Sequence, residues 1–401
     1  MHSHTGIEGS DHTTSVVMVS IASALCLAIA MGVGRFAFTP IFPLMVRDGL
    51  ISNDLGSLIA ASNYLGYLVG ALVASRLRLR PAGLIVTGLL VTLLVTTTFG
   101  WTQTPAVWFL LRFMAGVMSA WTLVGTSAWG LAWLSSLGRP DLAGVVFSGV
   151  GLGIAAAGVF CLLLSGPNMP ALDMWIQLGA LSAIVSVGPI WVLLKTGAAP
   201  TSNVGNASSQ TARSDAHHTT GIVICYSLFG FGYILPATYL PALAQQLIND
   251  PKVFGLAWPI FGMAAAISTI AVASGLKKVN RLKVWTAGHL LMAAGVMLPC
   301  IWSSILSVCI AALLVGGTFM VITMIGMQEA RNRASSNPTA LLGKMTAGFG
   351  LGQLLGPIVS AVISRLTPSF DTALNIALSL AAAGLVLSAL YLSRITRQSA
   401  T

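Results

Sequence analysis

Twelve apolar runs, each long enough to cross about 30 Å of hydrocarbon as a helix, succeed one another along the 401-residue chain. They lie near residues 16–46, 55–75, 82–101, 105–134, 142–165, 171–194, 220–248, 254–275, 284–301, 303–327, 340–366 and 371–393. In a bilayer every backbone N–H and C=O must be satisfied inside the protein, so only helices and closed barrels span it. The runs are continuously apolar and do not alternate residue by residue, which excludes barrel strands and predicts an all-α integral membrane protein. Composition agrees: 7% of residues are charged and mean hydropathy is +0.87, whereas a soluble domain carries about a quarter charged residues.

The connections between runs fall into two alternating sets. One holds fifteen Lys and Arg; the other holds three, Arg47, Lys252 and Arg365. The positive-inside rule assigns the richer set and both termini to the cytoplasm, and a bacterial cytoplasmic (inner) membrane is the expected location. The net charge of +10 is then a topology signal, so the expected partner is the lipid bilayer and no nucleic acid. Cys26, Cys161, Cys225, Cys300 and Cys309 fall within apolar runs with no metal-binding spacing, and neither a disulfide framework nor a cofactor is expected. His2, His4 and His12 are scattered over a polar tail, 1–15, and read as solvated side chains rather than metal ligands. No basic segment precedes the first apolar run, which is too long for a cleaved signal and stays as the first helix.

The chain repeats itself. Gly32-Val33-Gly34 with Pro43 recurs as Gly230-Phe231-Gly232 with Pro241, 198 positions on, and Gly149-Val150-Gly151-Leu152-Gly153 recurs as Gly348-Phe349-Gly350-Leu351-Gly352, 199 positions on. The first and fifth spans thus pair with the seventh and eleventh. The glycine pattern follows no strand, so it is a packing motif and not a nucleotide fingerprint. The predicted organisation is a six-helix half over 16–194, a cytoplasmic linker over 195–219 rich in Ser, Thr, Asn and Ala, a second six-helix half over 220–393, and a short tail, 394–401. Two parallel six-helix halves are the plan of one large class of secondary transporters.

With these residues, that plan resembles the major facilitator superfamily over essentially the whole chain. Leu111-Arg112-Phe113-Met114-Ala115-Gly116 in the fourth span is similar to the superfamily's Arg-x-x-x-Gly signature. Gly32-Val33-Gly34-Arg35-Phe36-Ala37-Phe38-Thr39-Pro40 with Pro43, followed by Asn63-Tyr64-Leu65-Gly66-Tyr67, resembles the YbfB/YjiJ-type branch. The loop after the second span keeps only Gly70 and a basic cluster of that superfamily's Gly-x-x-x-Asp-Arg-x-Gly-Arg signature, with Ala74 and Ser75 where the aspartate is expected. The sequence shows no cluster of nucleophiles, acids or metal ligands at one depth, so no enzymatic activity is expected, and the resemblance implies a monomer and a central cavity lined by the first, fourth, seventh and tenth spans.

Two arginines stand inside those spans. Arg35 is about 18 Å of helix from Arg47, the next charge along its run, and a central arginine costs about 2.5–3.5 kcal/mol on the insertion scale, so it must face the bundle interior or a wet cavity. There it either offers a guanidinium fork to a carboxylate or phosphate-like group or bonds backbone carbonyls of its own half. The binding reading is favoured for Arg35. The structural one is favoured for Arg112, which matches a signature too general to specify one solute. None of the ten acidic residues lies deep in an apolar run, so the cavity carries uncompensated positive charge and suits an organic anion. Coupling would fall to Asp48 or Asp54 at one end, Glu329 at the other, His289, or the solute's own proton; Asp54, just after Ser52 and Asn53, reads as a helix cap.

Further substrate-binding candidates are Tyr233, which occupies the repeat position of Arg35, and Asn63, Tyr226 and Gln328. Thr318, Thr323, Tyr239 and Gln353 are other intramembrane polar groups. Gly34, Pro40, Pro43, Pro236 and Pro241 are the expected hinge or gate positions at the outer ends of the first and seventh spans. The reading is a twelve-helix carrier of a small organic anion working by alternating access. The alternative is a proton-coupled efflux pump for amphiphilic compounds, with Phe229, Phe231, Tyr233 and Trp121 as an aromatic pocket.

Overall fold

The computed structural model describes residues 5–76, 79–166, 169–198, 211–247, 256–302, 304–334 and 337–398, with the backbone alone over 5–14, 53, 211–218, 238–247, 370 and 371. Its helices are α1 (Thr5–Leu27), α2 (Phe38–Arg47), α3 (Asn53–Arg76), α4 (Pro81–Phe99), α5 (Pro105–Ser136), α6 (Ala143–Leu164), α7 (Ala171–Thr196), α8 (Thr211–Leu247), α9 (Ala257–Gly275), α10 (Arg281–Ile301), α11 (Ile305–Arg333), α12 (Pro338–Leu366) and α13 (Phe370–Gln398). Among the described residues, twelve spans are long and apolar enough to cross a membrane. The first is built from α1, a π-helical turn (Ala28–Val33) and α2, the fifth is α6 preceded by a 3-10 turn (Pro140–Leu142), and each other span is one helix. No strand occurs among the described residues.

Helix starts follow local chemistry. Proline stands at the first position of α4, α5 and α12, where its missing N–H has no intrahelical partner to lose. Asn280, Ser304 and Asn337 accept from the free N–H groups of Leu282, Ser307 and Ala340 at 2.8, 3.2 and 3.2 Å. Gly197, at φ 70°, ends α7 in a backbone conformation that a side chain resists. Ser52 caps α3 through Leu55 N–H at 3.3 Å, and Asp54 sits inside the first turn instead of capping it.

Two boundaries differ from expectation. The helix of the first span begins at Thr5, within the tail expected over 1–15, and α8 begins at Thr211, within the linker expected over 195–219. A helix already nucleated by an apolar run propagates into polar residues at little cost, so hydropathy marks the membrane segment and not the helix end. Residues 199–210, about half of the expected linker, lie outside the described residues, as do His2 and His4 and the side chain of His12.

The repeated glycine motif explains how the halves assemble. In α6, Gly149 and Gly153 lie against Ala24 and Ala28 of the first span, while Gly151 between them lies against Gly262 and Ala266 of α9. In α12, Gly348 and Gly352 lie against Ser227 and neighbouring residues of α8, while Gly350 faces Tyr67 and Leu68 of α3. Each copy thus packs its own half with the outer glycines and the opposite half with the middle one. Backbones approach closely there because no Cβ intervenes. The two halves meet along α6–α9 and α3–α12.

At the end of the bundle where the basic connections lie, an ion pair joins Lys277, after α9, to Asp141, before α6, at 3.1 Å. At the opposite end Asp48 accepts from Arg47 Nε at 2.8 Å and from Ala171 N–H at 2.7 Å, tying the first span to the start of α7.

Candidate functional site

The first span breaks where its glycines and prolines cluster. After the π-turn the chain passes through a turn over residues 34–37 before α2 resumes. Pro40 has no N–H to give to the carbonyl of Phe36, and that carbonyl accepts from Thr39 N–H at 3.2 Å instead. The carbonyls of Gly34 and Arg35 are held by another span: Arg112 of α5 donates Nη1 to Gly34 O and Nη2 to Arg35 O, each at 2.8 Å. Asn63 of α3 donates its side-chain amide to the carbonyl of Arg112 at 3.0 Å. Together they hold the broken backbone in place, and the Arg112 side chain faces Phe38 at 4.9 Å.

Arg35 is held differently. It is 3% exposed, and its guanidinium lies 3.7 Å from the ring centroid of Tyr67, with Phe36 at 5.6 Å and Tyr64 at 5.9 Å. Nη2 donates to Oε1 of Gln353 on α12, in the other half. Nε and Nη1 have no hydrogen-bond partner among the described residues, nor has Nε2 of Gln353. A buried guanidinium normally has its donors engaged. Arg35 also lines a small cavity of about 50 Å³ between the halves, bounded by Tyr64, Arg112, Tyr233, Trp258 and Gln353 with Phe36, Phe38 and Thr39. Among the described residues no carboxylate lines it, and there two arginine charges stand uncompensated.

The candidates separate accordingly. Arg35, Arg112 and Tyr233 line one cavity. Tyr233 is 1% exposed and stacks on Phe319, with centroids 4.3 Å apart and planes 12° apart. Tyr226 does not line the cavity; it is buried among Phe229, Trp285 and Phe349. Asn63 bridges α3 to α5. Gln328 belongs to a different place, a groove of about 750 Å³ at the basic end, with Lys277, Arg281, Glu329 and Arg333. It lies three residues before Arg331, and that charge already places it near the membrane edge.

Of the hinge candidates, Gly34 is in the break, and Pro40 and Pro43 are in α2 just beyond it. Pro236 and Pro241 lie within α8, which stays helical through both; the side chain of Pro241, like that of Tyr239, is outside the description. Of the four aromatics considered for an amphiphile pocket, only Tyr233 lines the cavity. Trp121 donates to Gly70 O at 3.1 Å, and Phe229 is wholly buried.

Three of the possible coupling groups, Asp48, Glu329 and His289, are engaged elsewhere. Glu329 pairs with Arg333 at 2.7 Å and Arg281 at 3.9 Å, and His289 accepts from Trp285 Nε1 at 3.1 Å within the C-terminal half. The residues that sequence reasoning passed over are Tyr64, Tyr67 and Trp258, and Gln353 was noticed without a role. Tyr64 and Tyr67 stand in the Asn63–Tyr67 motif itself, where tyrosines in an apolar helix were a visible signal.

No curated protein matches the chain significantly. Among solved structures, the human organic anion transporter MFSD10 (TETRAN) is similar at a TM-score of 0.69 and 14% identity, over 95% of this chain and 99% of that one. That likeness shows the fold. Residues 27–393 match the family described as uncharacterised MFS-type transporter YbfB, and the chain, a transporter and not an enzyme, belongs to that family.

Proposed function

We propose that this protein is a secondary transporter that carries a small organic anion across a bacterial cytoplasmic membrane by alternating access. The observation that carries the reading is the Arg35 guanidinium, which is buried, lines a cavity between the halves that no carboxylate among the described residues lines, and has two nitrogens without a partner among those residues. A carboxylate is the group whose geometry matches that fork. Tyr64, Tyr233 and Trp258 would pack on the body of the solute and contribute apolar contact with a polar edge. A cavity of about 50 Å³ is far below the usual ~300 Å³ or more of a small-molecule site, so the cavity must widen toward one side of the membrane to admit the solute.

Arg112 is the stator of this machine: it fixes the broken backbone from which Arg35 projects. The basic end of the bundle, with the groove beside Arg281 and Arg333, faces the cytoplasm together with both termini. The protein functions as a monomer, as each carrier encloses its own cavity between its two halves. MFSD10 is described as an organic anion transporter, in keeping with this reading, which rests on Arg35 and not on that likeness.

Purified protein in proteoliposomes, offered labelled carboxylates, a phosphate ester, a sugar and a lipophilic cation one at a time, tests the proposal. Accumulation of an anion by the wild type and only background accumulation by Arg35→Gln supports it. Equal movement of the lipophilic cation by both forms, with no anion moved, transfers the assignment to amphiphile efflux.

A further inference from the structure

We infer that Gln353 is a latch between the two halves, and that a solute carboxylate releases it by taking its place on Arg35. The inference rests on the reading of the Arg35 cavity as the solute site. Arg35 and Gln353 are 318 residues apart, on the first and eleventh spans. Their hydrogen bond crosses the boundary along which the halves must move relative to one another. Gln353 is 0% exposed, its Oε1 accepts from Arg35 Nη2, and its Nε2 has no partner among the described residues.

The chemistry of the pair makes it exchangeable. A carboxamide oxygen presents to a guanidinium the same planar acceptor as one carboxylate oxygen, but without the charge, and a bond with both partners ionised is the stronger of the two. A guanidinium has two edges that each offer a pair of parallel N–H donors, and the edges share Nη2. Gln353 occupies one hydrogen of Nη2, so whichever it takes, the other edge keeps both of its donors. An incoming carboxylate therefore docks bidentately on the open edge before Gln353 is displaced.

The surroundings localise the effect. Tyr67 of α3 forms the platform under the guanidinium, and the same ring meets Phe349 of α12 at 6.2 Å. Loss of the Arg35–Gln353 bond leaves that apolar contact and the Gly350 seam in place. Solute binding thus removes a polar tie at this depth without unpacking the interface. The empty carrier is held and the loaded one is freed to rock.

Spin-label distances read this without needing a transport assay. In a cysteine-free background that melts like the wild type, one pair is placed at Ser136 and Lys278 at the basic end and another at Gln103 and Ser369 at the opposite end. In Gln353→Leu the minor conformer rises roughly tenfold, the population change expected from losing a hydrogen bond to a charged group. In Gln353→Glu, where a permanent carboxylate pairs with Arg35, the distributions narrow to one conformer and no longer respond to sodium benzoate. Benzoate moves the wild type toward the Gln353→Leu distribution.

Folded variants with wild-type distributions overturn the latch, and if benzoate still moves the wild type, the anion reading survives alone. Shifted variants beside a wild type that ignores benzoate, acetate and pyruvate overturn displacement by carboxylate and the anionic reading of the cavity with it. Either variant is sufficient for the first comparison if the other does not fold.

Discussion

The first and seventh spans share a repeat, yet one is broken and charged where the other is continuous and neutral. At the position where the first span turns over residues 34–37 and carries Arg35, α8 runs on as helix and carries Tyr233. The proline content does not account for this, since Pro43 has its counterpart in Pro241 and α8 also contains Pro236. The difference is what receives the freed backbone. Arg112 of α5 supplies two donors to the carbonyls of the first span, while Tyr233 is packed on Phe319 and close to Phe229 and Phe349. An intramembrane break survives only where a side chain satisfies the exposed carbonyls. One half therefore contributes charge and an irregular backbone, and the other a wall of aromatic rings.

Removing the clamp breaks this contrast most severely. Arg112→Ala leaves two buried carbonyls without donors, each at about 1–3 kcal/mol, so a loss of about 2–6 kcal/mol is expected in denaturant unfolding, with little folded protein recovered. Arg35→Gln should do the reverse: the fold is kept or slightly stabilised, because a costly buried charge has gone, while affinity for an anionic solute falls by about 100-fold, from two charge-assisted hydrogen bonds. A calorimetric titration on the folded variant checks this. Tyr233→Phe keeps the stack on Phe319 and removes only a hydroxyl, so affinity should change by less than about tenfold and the melting temperature hardly at all.

The smallest effect concerns the outer end of the broken span. Partial burial pushes the Asp48 carboxyl up, but hydrogen bonds from Arg47 and Ala171 N–H, with the Arg47 charge, outweigh it and hold the group below the usual carboxylate value. A carboxyl depressed in the folded state adds stability at neutral pH that is lost as pH falls below about 4. Acid unfolding followed by tryptophan fluorescence should therefore show a weaker pH dependence in Asp48→Asn than in the wild type, with the two curves converging at the acid end.

Hydropathy made the twelve spans legible because burial of a span in lipid is a property of whole segments. The repeats and the isolation of Arg35 were legible for the same reason: a charge or a Gly-x-Gly stands out against an apolar background. What was not legible was facing. In a helix that is apolar all round, periodicity does not say which residues meet. Tyr226 and Tyr233 therefore looked equivalent, though one is buried in an aromatic cluster and the other lines the cavity. Gln353 gained a role only when α12 was seen to bring it to Arg35 across the halves. The break in the first span also depends on Arg112, 77 residues away, which no local pattern connects to it. Gln328 lies in the groove at the basic end, a depth that Arg331 and Arg333, which follow it closely, already mark in the sequence.

The most direct test of the Arg35 site is ligand-dependent melting of the purified protein in detergent, across small carboxylates, phosphates, sugars and lipophilic cations, with wild type and Arg35→Gln side by side. A ligand that binds only the folded state raises the melting temperature with its occupancy. The expected result is a rise with one class of carboxylate in the wild type and none in a variant that melts at or above the wild-type temperature. Equal stabilisation of both forms by the same anion would contradict the assignment of Arg35 as the solute anchor.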